Sequence, residues 1–232
     1  MDATVRLLRA GLVPYSAASR WQRETATSLR REGDTGGEAD EAVALLEHPP
    51  VYTLGRRGGR QHVLRSEAEL ALQGAELVES DRGGDVTFHG PGQLVVYPIL
   101  DLRARGIAPV DHVRSLEGVV IDVLRDFEVC GERVEGRPGV WVSGAKVAAV
   151  GVRVQRGVST HGLALNVSTD LSRFDAIVPC GIGDAGVTSM QRLLGVAPSM
   201  AAVQSRVVAA LGSRLGLTFD VERYAEGLRR AG

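Results

Sequence analysis

The chain has 232 residues, 27 Lys and Arg against 28 Asp and Glu, and 44% apolar residues. That apolar share is enough for a core and speaks against disorder, and the near-neutral balance speaks against a nucleic-acid partner. With no apolar run long enough to span a bilayer and no signal-like opening, the expectation is a cytoplasmic protein off the membrane, residues 1–232 forming one domain.

In chain order, residues 3–9 alternate weakly and read as a strand. Residues 17–31 have helical spacing and many charges, followed by a loop at 33–38. Residues 42–46 read as a buried strand, broken by His48-Pro49-Pro50. Extended structure resumes at 51–54, before an arginine-rich turn at 55–60. A short helix with a serine cap is predicted at 66–72, a strand at 75–79, a turn at 81–85, and strands at 86–88 and 94–99. Residues 111–127 give the clearest helix, with Val113, Leu116, Val120, Val123, Leu124 and Phe127 on one face. Strands follow at 140–142, 146–155 and 161–167, then an amphipathic helix at 199–215 and a last short one at 221–229. Strands cluster with helices beside them rather than alternating strictly. That predicts an α+β fold with a mixed, mainly antiparallel sheet flanked by helices.

Several motifs tempt and fail. Residues 181–186 match GxGxxG, but the acidic residue wanted about 20 positions on is missing. Residues 139–146 resemble a phosphate-binding loop with one residue too many, and no Ser or Thr follows Lys146. His48, His89, His161 and Cys180 have no close metal-ligand spacing, so no metal is expected.

Lys146 is the chain's only lysine; every other basic side chain counted among the 27 is arginine. A lysine that survives such a bias points to a task a guanidinium cannot do, since a buried amine can lose its proton and serve as a base, or else to a strand-end side chain that reaches out to solvent. Cys180 lies between Pro179 and Gly181, where the chain is restricted on one side and open to close backbone approach on the other, a setting that suits a nucleophile. Cys130, at a helix exit, reads instead as a small buried hydrophobe. Two further blocks are conspicuous: residues 82–93, rich in Gly, Pro and His, and residues 160–166, which hold the only asparagine. Turn chemistry in a β-rich fold explains either block as well as catalysis does, and His89 and His161 read as pocket-shaping before proton-carrying.

Together these blocks resemble the lipoyl(octanoyl) transferase family. The matching pieces are residues 48–55, 82–93, 97–99, 146–151, 160–166 and 179–182, in family order across roughly 45–190. The resemblance implies a fold related to the catalytic domains of biotin protein ligase and lipoate ligase. It implies Cys180 as the nucleophile that carries an acyl thioester, and Lys146 as the general base that makes it a thiolate. It implies an acyl pocket lined by Arg82, Gly83, Gly84, Asp85, Val86, Thr87, Phe88 and His89, by Ala149, Val150 and Gly151, and by Gly162, Leu163 and Ala164, with His161 and Asn166 in support. It also implies octanoyl-acyl carrier protein as donor and, as acceptors, lipoyl domains of 2-oxoacid dehydrogenase complexes and the glycine cleavage H protein. No ATP or other cofactor is expected, and the chain is expected to be a monomer. Arg56, Arg57 and Arg60 are candidates to meet an acidic carrier. Three other readings stay open: an ATP-dependent lipoate or octanoate ligase, a thiol hydrolase, and a non-catalytic module that binds an acyl carrier.

Overall fold

A computed structural model describes residues 4–35, 40–178 and 186–222. Its centre is an eight-stranded sheet. Strand β1 (Thr4–Leu12) lies parallel to β2 (Ala42–Glu47), and β2 runs antiparallel to β6 (Gln93–Ile99). Beyond β6 come β10 (Val158–Asn166), β9 (Ala145–Gln155), β8 (Arg137–Val142) and β7 (Glu132–Val134), each antiparallel to its neighbour. At the other edge β11 (Thr218–Glu222) pairs in parallel with β1. A smaller sheet has β3 (Val51–Leu54) between β4 (Glu76–Glu79) and β5 (Val86–His89). The α+β class and the mainly antiparallel sheet agree with the sequence pattern.

The central strands read as unbroken apolar runs because both faces of the sheet are covered. Alternation divides each run between two cores. Val43 and Leu45 of β2 and Leu94 and Val96 of β6 meet the helices α3 (Pro109–Asp126) and α5 (Met200–Leu215). Ala42, Ala44, Leu46, Val95 and Tyr97 face the other way, onto Ala17, Ala18, Trp21 and Leu29 of α1 (Tyr15–Thr35). The small sheet has its own core, with Phe174 and Ala176 from a 3-10 turn at Leu171–Ala176, and Ile177 just after it, packed with Tyr52 and Phe88.

Helix boundaries follow local chemistry. The predicted serine cap is present: Ser66 and Glu69 form a reciprocal capping box on α2 (Glu67–Leu72). Helix α3 starts with Pro109, whose missing N–H costs nothing in the first turn. Helix α4 (Met190–Leu194) starts on Ser189 and α5 on Ser199, and α5 ends at left-handed Gly216.

Three sequence expectations need correction. Helix α1 continues to Thr35, so 33–35 are helical where a loop is predicted; 36–38 lie outside the described residues. Val221 and Glu222 belong to β11 rather than to a helix, because the backbone edge of β1 accepts them as a ladder; 223–229 lie outside the described residues. Cys130 is exposed, since the chain leaves α3 along the surface. No described helix is long and apolar enough to cross a membrane.

Candidate functional site

Strands β8, β9 and β10 are joined by two-residue turns. Ser143 and Gly144 have φ of 49° and 79°, and Arg156 and Gly157 have 51° and 84°. Both pairs are the positive-φ turns whose twist matches that of a hairpin. The first explains why residues 139–146 fail as a phosphate-binding loop: they are two strands and a turn, and Lys146 sits just past it.

Against β9 and β10 docks the turn at 81–85. Gly83 N–H donates to the Val152 carbonyl at 3.2 Å. A Cβ on Gly83 would lie 2.8 Å from that carbonyl oxygen, and one on Gly151 would lie 2.8 Å from the oxygen of Gly83, so the two backbones meet where neither residue can carry a side chain. Arg82 fastens the turn from the other side. Its Nε donates to Thr53 Oγ1 at 2.9 Å, Nη2 to the Thr53 carbonyl at 2.6 Å and Nη1 to the Gly83 carbonyl at 3.1 Å.

A cavity of about 540 Å³ lies between this turn, β5, β9 and β10. That falls within the roughly 300–1,000 Å³ usual for small-ligand pockets. Among the residues expected to form an acyl pocket, Arg82 to Thr87, His89, Ala149 to Gly151 and Gly162 to Ala164 all line it. Phe88 does not. Its ring lies in the small-sheet core, 5.1 Å from the Tyr52 ring and 5.6 Å from Phe174 between centroids, whereas Thr87 and His89 on the other face of β5, and Val86 at its start, reach the cavity. Further lining comes from Tyr15, Val95, Tyr97, Val113, Val152 and residues 136–138. Arg57 also borders it, while Arg60 pairs instead with Glu67.

The wall has an apolar stretch, with Val86, Val95, Val113, Val150, Leu163 and Ala164, and a polar cluster in which Tyr15, His89, Tyr97 and His161 border the cavity and His48 and Asp81 lie behind them. In the cluster His48 Nδ1 donates to the Val13 carbonyl at 2.6 Å, and Tyr97 donates its hydroxyl hydrogen to His48 Nε2 at 2.8 Å. Burial holds His48 down to about 4, only partly offset by its bond to Val13, and pushes Tyr97 well above the usual phenol range. His89 stacks on Tyr15 with centroids 6.2 Å apart, and burial, then the neighbouring His48 and Arg82, hold it well below an ordinary histidine. His161 takes a left-handed φ of 59° and places Nε2 2.7 Å from Asp81 Oδ1. That hydrogen bond, helped by Arg153, holds Asp81 at about 2 against the opposing effect of burial.

Lys146 is 7% exposed and lines the same cavity. Its Nζ lies 4.7 Å from the centre of the Trp141 ring. Where β10 stops at Asn166, residues 186–188 take its place beside β9. Lys146 N–H donates to the Gly186 carbonyl and Thr188 N–H to the Lys146 carbonyl, both at 2.9 Å. Asn166 lies outside the cavity and ties β10 to this segment, its Nδ2 donating to the Thr188 carbonyl at 3.0 Å. Cys180 and most of the GxGxxG match lie outside the described residues. The flank before them is anchored by Val178 N–H on the His62 carbonyl at 2.8 Å.

Residues 16–212 match the model of the lipoyl protein ligase A/B catalytic domain. The chain belongs to this family. Its relatives within the family include octanoyltransferases of Chloroflexus aurantiacus, 49% identical over 93% of this chain and 96% of the relative, and of Acidobacterium capsulatum, 44% identical over 93% and 90%. Family membership at this identity makes the chain an acyltransferase. Among solved structures, a putative lipoate protein ligase of Thermoplasma acidophilum with bound lipoic acid superposes with a TM-score of 0.73 at 16% identity, covering 99% of this chain and 92% of that one. A biotin protein ligase of Aquifex aeolicus in complex with biotin and ATP superposes at 0.52 and 12% identity, over 92% and 70%. These two likenesses speak for the shared fold.

Tyr15, Val113 and residues 136–138 escaped sequence reasoning because each reaches the cavity from a separate element. Tyr97 carried a signal: it stands in a block that matches the family, two residues before the end of β6.

Proposed function

We propose that this acyltransferase moves an octanoyl group from octanoyl-acyl carrier protein to a lysine of a lipoyl domain, through a thioester on Cys180 with Lys146 as base. The observation that carries this reading is the burial of the chain's one lysine in the wall of a largely apolar cavity, beside the segment that follows Cys180 in sequence. The octanoyltransferase name of relatives 43–49% identical supports the choice of acyl group.

In the first half-reaction Lys146 accepts the thiol proton, the Cys180 thiolate attacks the donor's thioester carbonyl, and the carrier's thiolate leaves and takes a proton. One thioester replaces another, so no ATP is called for. In the second, the acceptor lysine's neutral amine attacks, the C–N bond forms as the bond to Cys180 breaks, and the amine's proton passes by way of Lys146 to the departing sulfur. Amide formation from a thioester is downhill and drives the cycle. The apolar wall holds the alkyl chain, and Trp141 keeps one face of Lys146 from water.

The test is intact-protein mass spectrometry after incubation with octanoyl-acyl carrier protein, without ATP, on wild type and Cys180→Ala. The expected result is a gain of one octanoyl group in the wild type only, discharged by a lipoyl domain. Product that forms only with ATP and free octanoate, with no adduct, would overturn the reading in favour of a ligase.

A further inference from the structure

Gln93, buried on β6, sits in a chain of hydrogen bonds whose direction is set by carbonyl groups. Asn166 Nδ2 faces the Thr188 carbonyl. A carbonyl can only accept, so the nitrogen of that amide must be there, and Oδ1 is left to face Gln93. Gln93 Nε2 gives one hydrogen to Asn166 Oδ1 at 2.9 Å and the other to the Phe88 carbonyl at 3.2 Å. Two independent acceptors therefore fix its amide, and Oε1 is what faces His89, 2.8 Å from Nδ1. An oxygen at that distance requires the hydrogen on Nδ1. A neutral imidazole carries one N–H, so Nε2 is an acceptor.

We infer that Gln93 and Asn166 are positioning residues that hold His89 as its Nδ1–H tautomer, so that its Nε2 accepts a hydrogen bond from the amine of the incoming lysine. This rests on the reading of the protein as an octanoyltransferase. A thioester offers only acceptors, its carbonyl oxygen and its sulfur, so Nε2 has nothing to bond in the acyl group, and without a hydrogen it cannot stabilise an oxyanion. Of the two groups that form the new C–N bond, only the attacking amine carries N–H groups. A second group on the wall agrees. His48 spends its own N–H on the Val13 carbonyl, so Tyr97 must give its hydrogen to His48 Nε2, and the Tyr97 oxygen is left as an acceptor too. The polar cluster thus presents two acceptors suited to a ligand that donates. His89 orients the amine; the proton leaves by way of Lys146, and the C–N bond forms as the C–S bond to Cys180 breaks.

The experiment is nitrogen NMR of the full chain labelled at histidine, with His89 assigned among the five histidines by a His89→Gln spectrum, alongside single-turnover kinetics of the two half-reactions. The expected spectrum has His89 protonated at Nδ1 in the wild type. Gln93→Leu is expected to release the tautomer and slow discharge of preformed octanoyl-enzyme by a lipoyl domain about tenfold, the scale of one hydrogen bond, with acylation unchanged. A proton on Nε2 in the wild type overturns the inference. So does a Gln93→Leu protein that has lost the tautomer and yet discharges at the wild-type rate, or that slows both half-reactions alike. Failure of the wild type to form any octanoyl-enzyme sinks the functional reading instead, and the spectrum still decides the tautomer.

Discussion

His89 on the cavity wall and His112 on α3 are both buried histidines, and the molecule treats them in opposite ways. His89 is held by Gln93, stacked on Tyr15 and set beside His48. His112 is fully buried in the first turn of α3, and neither ring nitrogen has a hydrogen-bond partner among the described residues. Burial alone holds it down to about 4. The contrast separates two uses of a costly side chain. Around the cavity the desolvation of polar groups is offset by hydrogen bonds that also orient them; on α3 it is a plain loss of stability.

The sharpest way to break this contrast is at the reacting group. Lys146→Arg keeps the charge and removes the base. Octanoyl transfer is expected to fall by about 10²–10⁴-fold with little change in the denaturation midpoint, and a variant that transfers normally would end the general-base role. Next comes the packing that shapes the wall. A Cβ at Gly162 would lie 2.1 Å from the Val96 carbonyl oxygen, so Gly162→Val is expected to cost about 3 kcal/mol or more, read as a lower urea midpoint.

His112 tests the other side. Its folded value of about 4 lies below the ordinary 6.5, so between these two the unfolded chain binds the proton and the folded chain does not. The added cost is absent above about pH 6.5 and grows as pH falls towards 4, to as much as about 3 kcal/mol of lost stability. His48, also near 4, adds a loss of the same sign in the same window. His112→Leu is expected to stabilise the protein at pH 7 by about 1 kcal/mol and to flatten the fall in melting temperature between pH 6.5 and 4.5. An unchanged acid profile would show that His112 is not the liability. The smallest effect belongs to Cys130. It is exposed, so Cys130→Ser is expected to alter stability by less than about 0.5 kcal/mol and to leave transfer untouched, while a thiol reagent modifies Cys130 in the folded wild type.

Much of the cavity was legible because its tight places demand glycine. Gly83, Gly151 and Gly162 stand where backbones nearly touch, and a sequence keeps glycine at such points in recognisable blocks. Lys146 was legible for a chemical reason, as the one amine in a chain that otherwise uses guanidinium. Phe88 is the one member of its block turned away from the cavity, because its ring packs on Tyr52 and Phe174, partners far off in sequence that nothing local announces. The pairing of His48 with Tyr97 spans 49 positions, and nothing local in either residue announces it. The same holds for β11, whose assignment depends on an edge supplied by the other end of the chain. Cys130 was read as buried from its apolar neighbours, yet beside it only Val129 turns inward.

That last strand has a consequence for how the protein is made. Thr4 pairs with Thr218 and Leu8 with Glu222. During synthesis the outer edge of β1 stays unpaired until residues 218–222 have left the ribosome, although β2, its other neighbour, is available early. A nascent chain therefore carries an open, apolar strand edge through most of its translation, the kind of surface on which unfinished chains pair with one another. Shortening the chain before residue 218 would leave that edge open for good.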